Sequence, residues 1–248
     1  PHYSPYKVAE TFSLLANLYP GRIDLGVGRA PGADMSTARA LATDGKPKFE
    51  QFPQQVAKLS EYLWNDVTEP LVSPRPPADL PLWMLGSSPD SAVLAAQRGL
   101  PYNLAAFINP MASPKFIELY KSRFQPSERL ANPYATLTMS VFCADSQEQA
   151  QALQLTFDIN FYRFITGQES NAFLTPQQAM LYPIDAQLQQ FIAGRETLRA
   201  VGTPQQVKEK MCAIAEQFGV DEMMVVSNMY YLEDRKRSFE LLKEAFPS

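Results

Sequence analysis

Short apolar runs alternate with helical segments along this chain, and that alternation is what most limits its fold. Residues 22–27 (RIDLGV), 82–85 (LWML), 102–107, 135–143 (ATLTMSVFC) and 222–227 (EMMVVS) are short, apolar or β-branched, and bounded by turn residues, so each reads as a strand. Between them lie segments with helical spacing. Val8, Phe12, Leu15 and Tyr19 share one face of a helix expected over 5–19, opened by Ser4-Pro5 and stopped by Pro20-Gly21. Phe52, Val56, Leu59 and Leu63 mark a second over 49–64. Further helices are expected over 89–98, 113–124, 146–166, 187–193 and 235–246, and another, opened by the capping box Thr203-Pro204-Gln205-Gln206, reaches 218. Five prolines within 70–81 exclude a regular element there. Strands and helices in this order build a parallel sheet covered by helices, as an open doubly wound sheet or a closed eight-stranded barrel. Five strands are counted, three short of a barrel.

Composition removes several classes of function. A net charge of −4 offers no basic field for nucleic acid or an anionic membrane. No apolar run approaches the roughly 18 residues of a membrane span, and no signal peptide is legible. Cys143 and Cys212 are the only cysteines, which fits a reducing cytoplasm with both thiols free, a disulfide between them being the alternative. The single histidine, His2, excludes a His-rich metal site within the chain.

The stretch GRIDLGVGRAPG, residues 21–32, concentrates four glycines at a strand end. A dinucleotide fingerprint needs G-x-G-x-x-G leading into a helix. Here Pro31 stands at the third glycine, and a polar loop of over a dozen residues is expected to follow, with a helical turn near 36–42. A P-loop fails as well, because no Gly-Lys-Ser/Thr follows. Two readings remain. The glycines let a strand turn sharply, or Arg29, placed just past a parallel strand, clamps a phosphate or carboxylate with paired hydrogen bonds. The segment Gly86-Ser87-Ser88-Pro89-Asp90-Ser91 joins a strand end to a helix start, where unpartnered N–H groups and the helix dipole favour an anion. Ser88 also reads as an ordinary N-cap, and Asp90 would repel an anion if it pointed inward.

These residues carry a resemblance. His2-Tyr3-Ser4-Pro5, the block from Tyr19 to Gly32, Trp83-Met84-Leu85-Gly86-Ser87-Ser88, Gly99-Leu100-Pro101-Tyr102, Gly202-Thr203-Pro204 and Arg237-Ser238-Phe239-Glu240-Leu241 are similar to the bacterial-luciferase-like flavin monooxygenases, in that family's order. The resemblance implies a (β/α)₈ barrel of which strands four to eight are visible. It implies one domain over 1–248, an insertion over 167–186 after strand seven, and about a hundred upstream residues holding strands one to three, at roughly 30 residues per strand–helix unit. Without them two parallel edges stay unpaired, and the chain alone is expected to aggregate or oligomerise.

The same resemblance implies a function. The family binds reduced FMN, supplied by a separate flavin reductase, and uses oxygen to oxidise an aldehyde or another small organic substrate. The cofactor-binding residues implied are His2, Gly28, Arg29, Gly86, Ser87 and Ser88, with Arg29 and the two serines on the flavin phosphate and His2 near the ring. Tyr102 and Phe107 are placed either on the substrate side or in ordinary packing. The position of a reactive cysteine in light-emitting members is Gly28 here, and no catalytic base is assigned. A cytoplasmic homodimer is expected. The alternatives are a deazaflavin-dependent hydride-transfer enzyme and a non-catalytic flavin-binding relative.

Overall fold

Three strands run parallel in the first part of the chain. In this computed structural model the described residues are 2–30, 32, 34–42, 45–168 and 173–247, so Pro1, Pro31 and positions 169–172 of the expected insertion lie outside them. The chain divides into two compact units, Pro1–Leu104 with Glu118–Ala135, and Ala105–Ile117 with Thr136–Ser248.

The first unit begins with helix α1 (Pro5–Leu18), whose N-cap Ser4 accepts a hydrogen bond from the Lys7 N–H at 3.2 Å. It continues through β1 (Leu25–Gly28), α2 (Met35–Leu41), α3 (Phe52–Trp64), β2 (Leu82–Gly86), α4 (Pro89–Gln97) and β3 (Tyr102–Ala105). β1 pairs in parallel with β2, placing Gly28 opposite Leu85, and β2 with β3, placing Gly86 opposite Leu104. Helix α2 stands within one residue of the helical turn expected at 36–42, and the Asp34 carboxylate caps it, accepting from the N–H groups of Ser36 and Thr37. The proline-rich segment is irregular, as its composition demands. It is tied to α1 by the Ser13 hydroxyl, which donates to the Pro74 carbonyl, and by the Asn17 amide, which donates to the Arg75 carbonyl at 2.9 Å. Leu25, Leu82, Met84, Tyr102 and Leu104 form the buried strand core, and the small face of α4 (Ala92, Ala95, Ala96) is buried with them. Each such leucine contributes roughly 1.5–3 kcal/mol by leaving water.

After α5 (Pro114–Arg123), the second unit holds β4 (Ala135–Cys143), α6 (Gln147–Ile165), α7 (Pro176–Met180), α8 (Ala186–Arg195), β5 (Arg199–Gly202), α9 (Pro204–Phe218), β6 (Met223–Val226) and α10 (Leu232–Ala245). All nine residues of β4 are buried, the continuous pattern of a central parallel strand rather than an alternating one. Its upper half pairs with β5 (Cys143 opposite Gly202) and its lower half with β6 (Leu137 opposite Met223), both parallel. α9 ends at Gly219, whose φ of 61° is the left-handed geometry a helix stop favours.

One expectation is corrected here. The described residues hold six strands, not five, so the visible strands do not map one for one onto strands four to eight. The extra strand, β5, is four residues long, opens on a charged residue and closes on a glycine. Nothing in its periodicity marks it; pairing with β4 makes it a strand. Among the described residues, α7 is the one regular element that lies wholly within the expected insertion, and α8 begins at its last residue. No helix among them is long and apolar enough to cross a membrane.

Candidate functional site

The C-terminal ends of β1 and β2, side by side in one parallel sheet, bring most of the expected residues together. Gly28 ends β1, and a Cβ there would lie 3.1 Å from the Leu85 carbonyl oxygen, a tight contact that a side chain relieves only if the strands give by a few tenths of an ångström. Arg29 follows. Its guanidinium reaches across to the first turn of α4, where Nη2 stands 3.9 Å from Asp90 Oδ2. The two side chains are 53% and 82% exposed, so this is a loose surface pair worth about 0–1 kcal/mol. It nevertheless shows that Arg29 and the 86–91 loop face one another.

That loop is braced from within. Ser88 is the N-cap of α4, in extended geometry (φ −134°, ψ 159°), and Ser91 closes a capping box with it. The Ser91 hydroxyl accepts from the Ser88 N–H at 3.3 Å and donates to the Ser88 carbonyl at 2.6 Å. The buried Tyr102 hydroxyl lies 3.2 Å from Ser91 Oγ and donates to the Gly86 carbonyl at 3.3 Å. Burial pushes the Tyr102 phenol up to about 12, so it stays a protonated donor. Gly86 is required for the same reason: a Cβ there would sit 2.1 Å from Ser91 Oγ.

This alters the expectation for the helix start. Pro89 has no N–H, the Ser88 N–H is engaged by Ser91, and the Ser91 and Ala92 N–H groups turn back to the Ser88 carbonyl at 3.2 and 3.4 Å. An anion here would rely on Arg29 and the half-buried serines, Ser87 and Ser88, more than on helix amides. Tyr102, fully buried, is part of this brace. Its role and that of Ser91 were missed from sequence, although the Ser88-x-x-Ser91 spacing of a capping box was there to be read.

His2 lies elsewhere in the same unit. With Val8, Phe12, Leu25, Gly28 and Phe52 it lines an apolar hollow of ≈ 250 Å³. Its ring meets Phe49 edge-on, with centroids 6.4 Å apart. Gly28 therefore links the two halves of the candidate site: the hollow with His2 on one side, and Arg29 with the serine loop on the other. A phosphorylated ligand with a large flat ring suits this pairing, since an exposed guanidinium adjoins an open apolar hollow. Phe107 belongs to the second unit, where its N–H donates to the Thr138 carbonyl at 3.2 Å.

Comparison with known proteins matches residues 1–222 to the family of luciferase-like monooxygenases. The Bacillus subtilis (strain 168) protein YwcH is 38% identical over 256 residues, covering 99% of this chain and 76% of its own. A luciferase-like monooxygenase of Escherichia coli (strain K12) is 36% identical over 245 residues, covering 97% and 72%. Among solved structures, apo-MsnO8 superposes with a TM-score of 0.88 at 35% identity, over 99% of this chain and 74% of that one.

Proposed function

The chain belongs to the luciferase-like monooxygenase family, and from that premise we propose that it is a flavin-dependent oxidoreductase using reduced FMN and oxygen on a small, aldehyde-like organic substrate. The observation that carries this reading is the meeting of Arg29 with the Gly86–Asp90 loop at two adjacent parallel strand ends, beside the His2–Gly28 hollow. In it Arg29, Ser87 and Ser88 hold the phosphate, Gly86 lets Ser91 lock the loop, and His2 and Gly28 border the ring. Bound flavin supplies the redox chemistry; the chain orients it and keeps water from it. The oxygenating constituent of 3,6-diketocamphane monooxygenase, solved in complex with FMN, shares the fold at 20% identity and a TM-score of 0.64. A separate reductase supplies the reduced flavin, and the protein acts as a cytoplasmic homodimer whose strands form part of a (β/α)₈ barrel within one domain.

A second reading rests on the same geometry. An F420-dependent secondary alcohol dehydrogenase in complex with an F420-acetone adduct also shares the fold, at 16% identity and a TM-score of 0.61. F420 is a deazaflavin, and the same arginine and serines would hold it for hydride transfer.

Titration with FMN and with F420, following quenching of cofactor fluorescence, separates the two. FMN is expected to bind the tighter. Arg29→Ala is expected to weaken it about 10- to 100-fold, the size of a lost hydrogen-bonded charge contact. An unchanged affinity would remove Arg29 from the site, and tighter binding of F420 would favour the second reading.

A further inference from the structure

Tyr102, the first residue of β3, stands behind the loop that joins β2 to α4. It has no exposed surface, and its ring packs against that of Tyr120, with centroids 5.4 Å apart. The Tyr120 hydroxyl is engaged by backbone: it donates to the Leu100 carbonyl at 2.9 Å and accepts from the Tyr134 N–H at 3.1 Å. Ring packing on this side fixes where the Tyr102 hydroxyl lies on the other.

That hydroxyl has one proton and two acceptors in reach, the Gly86 carbonyl at 3.3 Å and Ser91 Oγ at 3.2 Å. Both distances are long for O–H···O, as a proton shared between two acceptors makes them. The Ser91 proton goes elsewhere, to the Ser88 carbonyl at 2.6 Å, so between the two hydroxyls Tyr102 is the donor. The direction of each bond follows. Tyr102 gives its proton to the Gly86 carbonyl and to Ser91, and Ser91 holds the Ser88 peptide groups from both sides.

A peptide group is planar and trans, so a carbonyl turned one way turns the N–H of the same group the opposite way. In the Gly86–Ser87 peptide the carbonyl faces the buried phenol, and the N–H, that of Ser87, faces away from it. This matters for an anion, which is attracted by N–H groups and repelled by carbonyl oxygens. Residue 86 must be glycine to make room for Ser91, and glycine resists a turn of its peptide least. An outside hydrogen bond is therefore most useful at this position.

We propose that Tyr102 is a positioning residue for the anion-holding loop: its hydroxyl keeps the Gly86 carbonyl on the buried side and, through Ser91, sets the place of Ser88, and so governs how well the chain recognises the phosphate of a flat-ringed cofactor. The inference rests on the reading above, in which this loop and Arg29 hold that phosphate. It adds that recognition of the phosphate, and not the grip on the ring, is set from the buried side of the loop.

The test compares FMN with riboflavin, which carries the same ring and no phosphate, by quenching of flavin fluorescence. Tyr102→Phe keeps the ring and its packing and removes one hydroxyl. It is expected to weaken FMN about 5- to 10-fold, the size of one lost hydrogen bond, and to leave riboflavin within about two-fold. A tyrosine that only supports the fold would weaken both alike. Ser91→Ala is expected to give the same selective loss, and the double variant to lose little more than either, because both changes act on one loop. Should Tyr102→Phe not fold, Ser91→Ala carries the test. If F420 binds the wild type more tightly than FMN, the same comparison is made between F420 and its phosphate-free deazaflavin core. No loss, or an equal loss with and without phosphate, overturns the inference and leaves the phosphate reading standing. A wild-type protein with no preference for the phosphorylated cofactor overturns both.

Discussion

Arg29 and Arg195 show two ways in which one residue type is used. Arg29 stands over the end of β1, half in water, with a single carboxylate 3.9 Å away that is itself mostly solvated. Arg195 is buried between two phenylalanine rings and a backbone carbonyl, and shares one carboxylate, that of Asp158, with a second arginine, Arg199. An exposed guanidinium exchanges partners at little cost, so it is available to a ligand. A buried one is part of the fold, and any change in its charge balance is felt as stability. The first unit thus offers its cation outward, and the second encloses it.

The largest expected effect tests the enclosed side. Asp158→Asn removes the only carboxylate of the cluster and is expected to cost about 3–5 kcal/mol, read by chemical denaturation. A cost near zero would mean that the cluster is solvated in solution, and the contrast with Arg29 would collapse.

Next is Gly86→Ala. The added methyl collides with the Ser91 side chain, so a loss of about 1–3 kcal/mol is expected. Adding Ser91→Gly should recover part of that loss, because the two changes act on one contact. Simple additivity would separate Gly86 from the brace. On the outward side, Asp90→Asn is expected to leave stability within about 0.5 kcal/mol and to tighten FMN binding a few-fold, by removing the carboxylate that competes for Arg29. Weaker binding would give Asp90 a positive part in the site.

The smallest effect concerns a third kind of arginine. Arg237 is solvated like Arg29 yet grips Asp145 with two hydrogen bonds, at 2.6 and 3.1 Å. Those bonds hold the Asp145 carboxyl below the usual carboxylate range. A pKa lower in the folded than in the unfolded state contributes stability above the unfolded value, which is lost as pH falls through the folded one. The wild-type protein should therefore lose slightly more stability than Asp145→Asn as pH falls below about 4. Parallel pH profiles would show that even a two-bond surface pair is idle.

What was legible in the sequence follows the range of the forces involved. The Ser4 cap, the proline openings of α1, α4 and α9, and the irregular proline-rich segment depend on neighbours within four residues, and all stand where expected. Arg29 and the serine loop were singled out because each follows a strand. Their convergence was not readable, since 61 residues separate Arg29 from Asp90 and only the β1–β2 register joins them. Asp158 left a faint trace, as a lone carboxylate in the apolar run FDINFY.

The sequence by itself determined the alternation of strand and helix, the helix ends and the absence of a basic field, because periodicity, capping and charge are local or additive properties. Tertiary structure alone decided that Arg199–Gly202 is a strand, that Gly86 makes room for Ser91, and that one arginine faces water while another lies buried. Each of those outcomes depends on which distant segments meet, and parallel pairing brings together residues far apart in the chain.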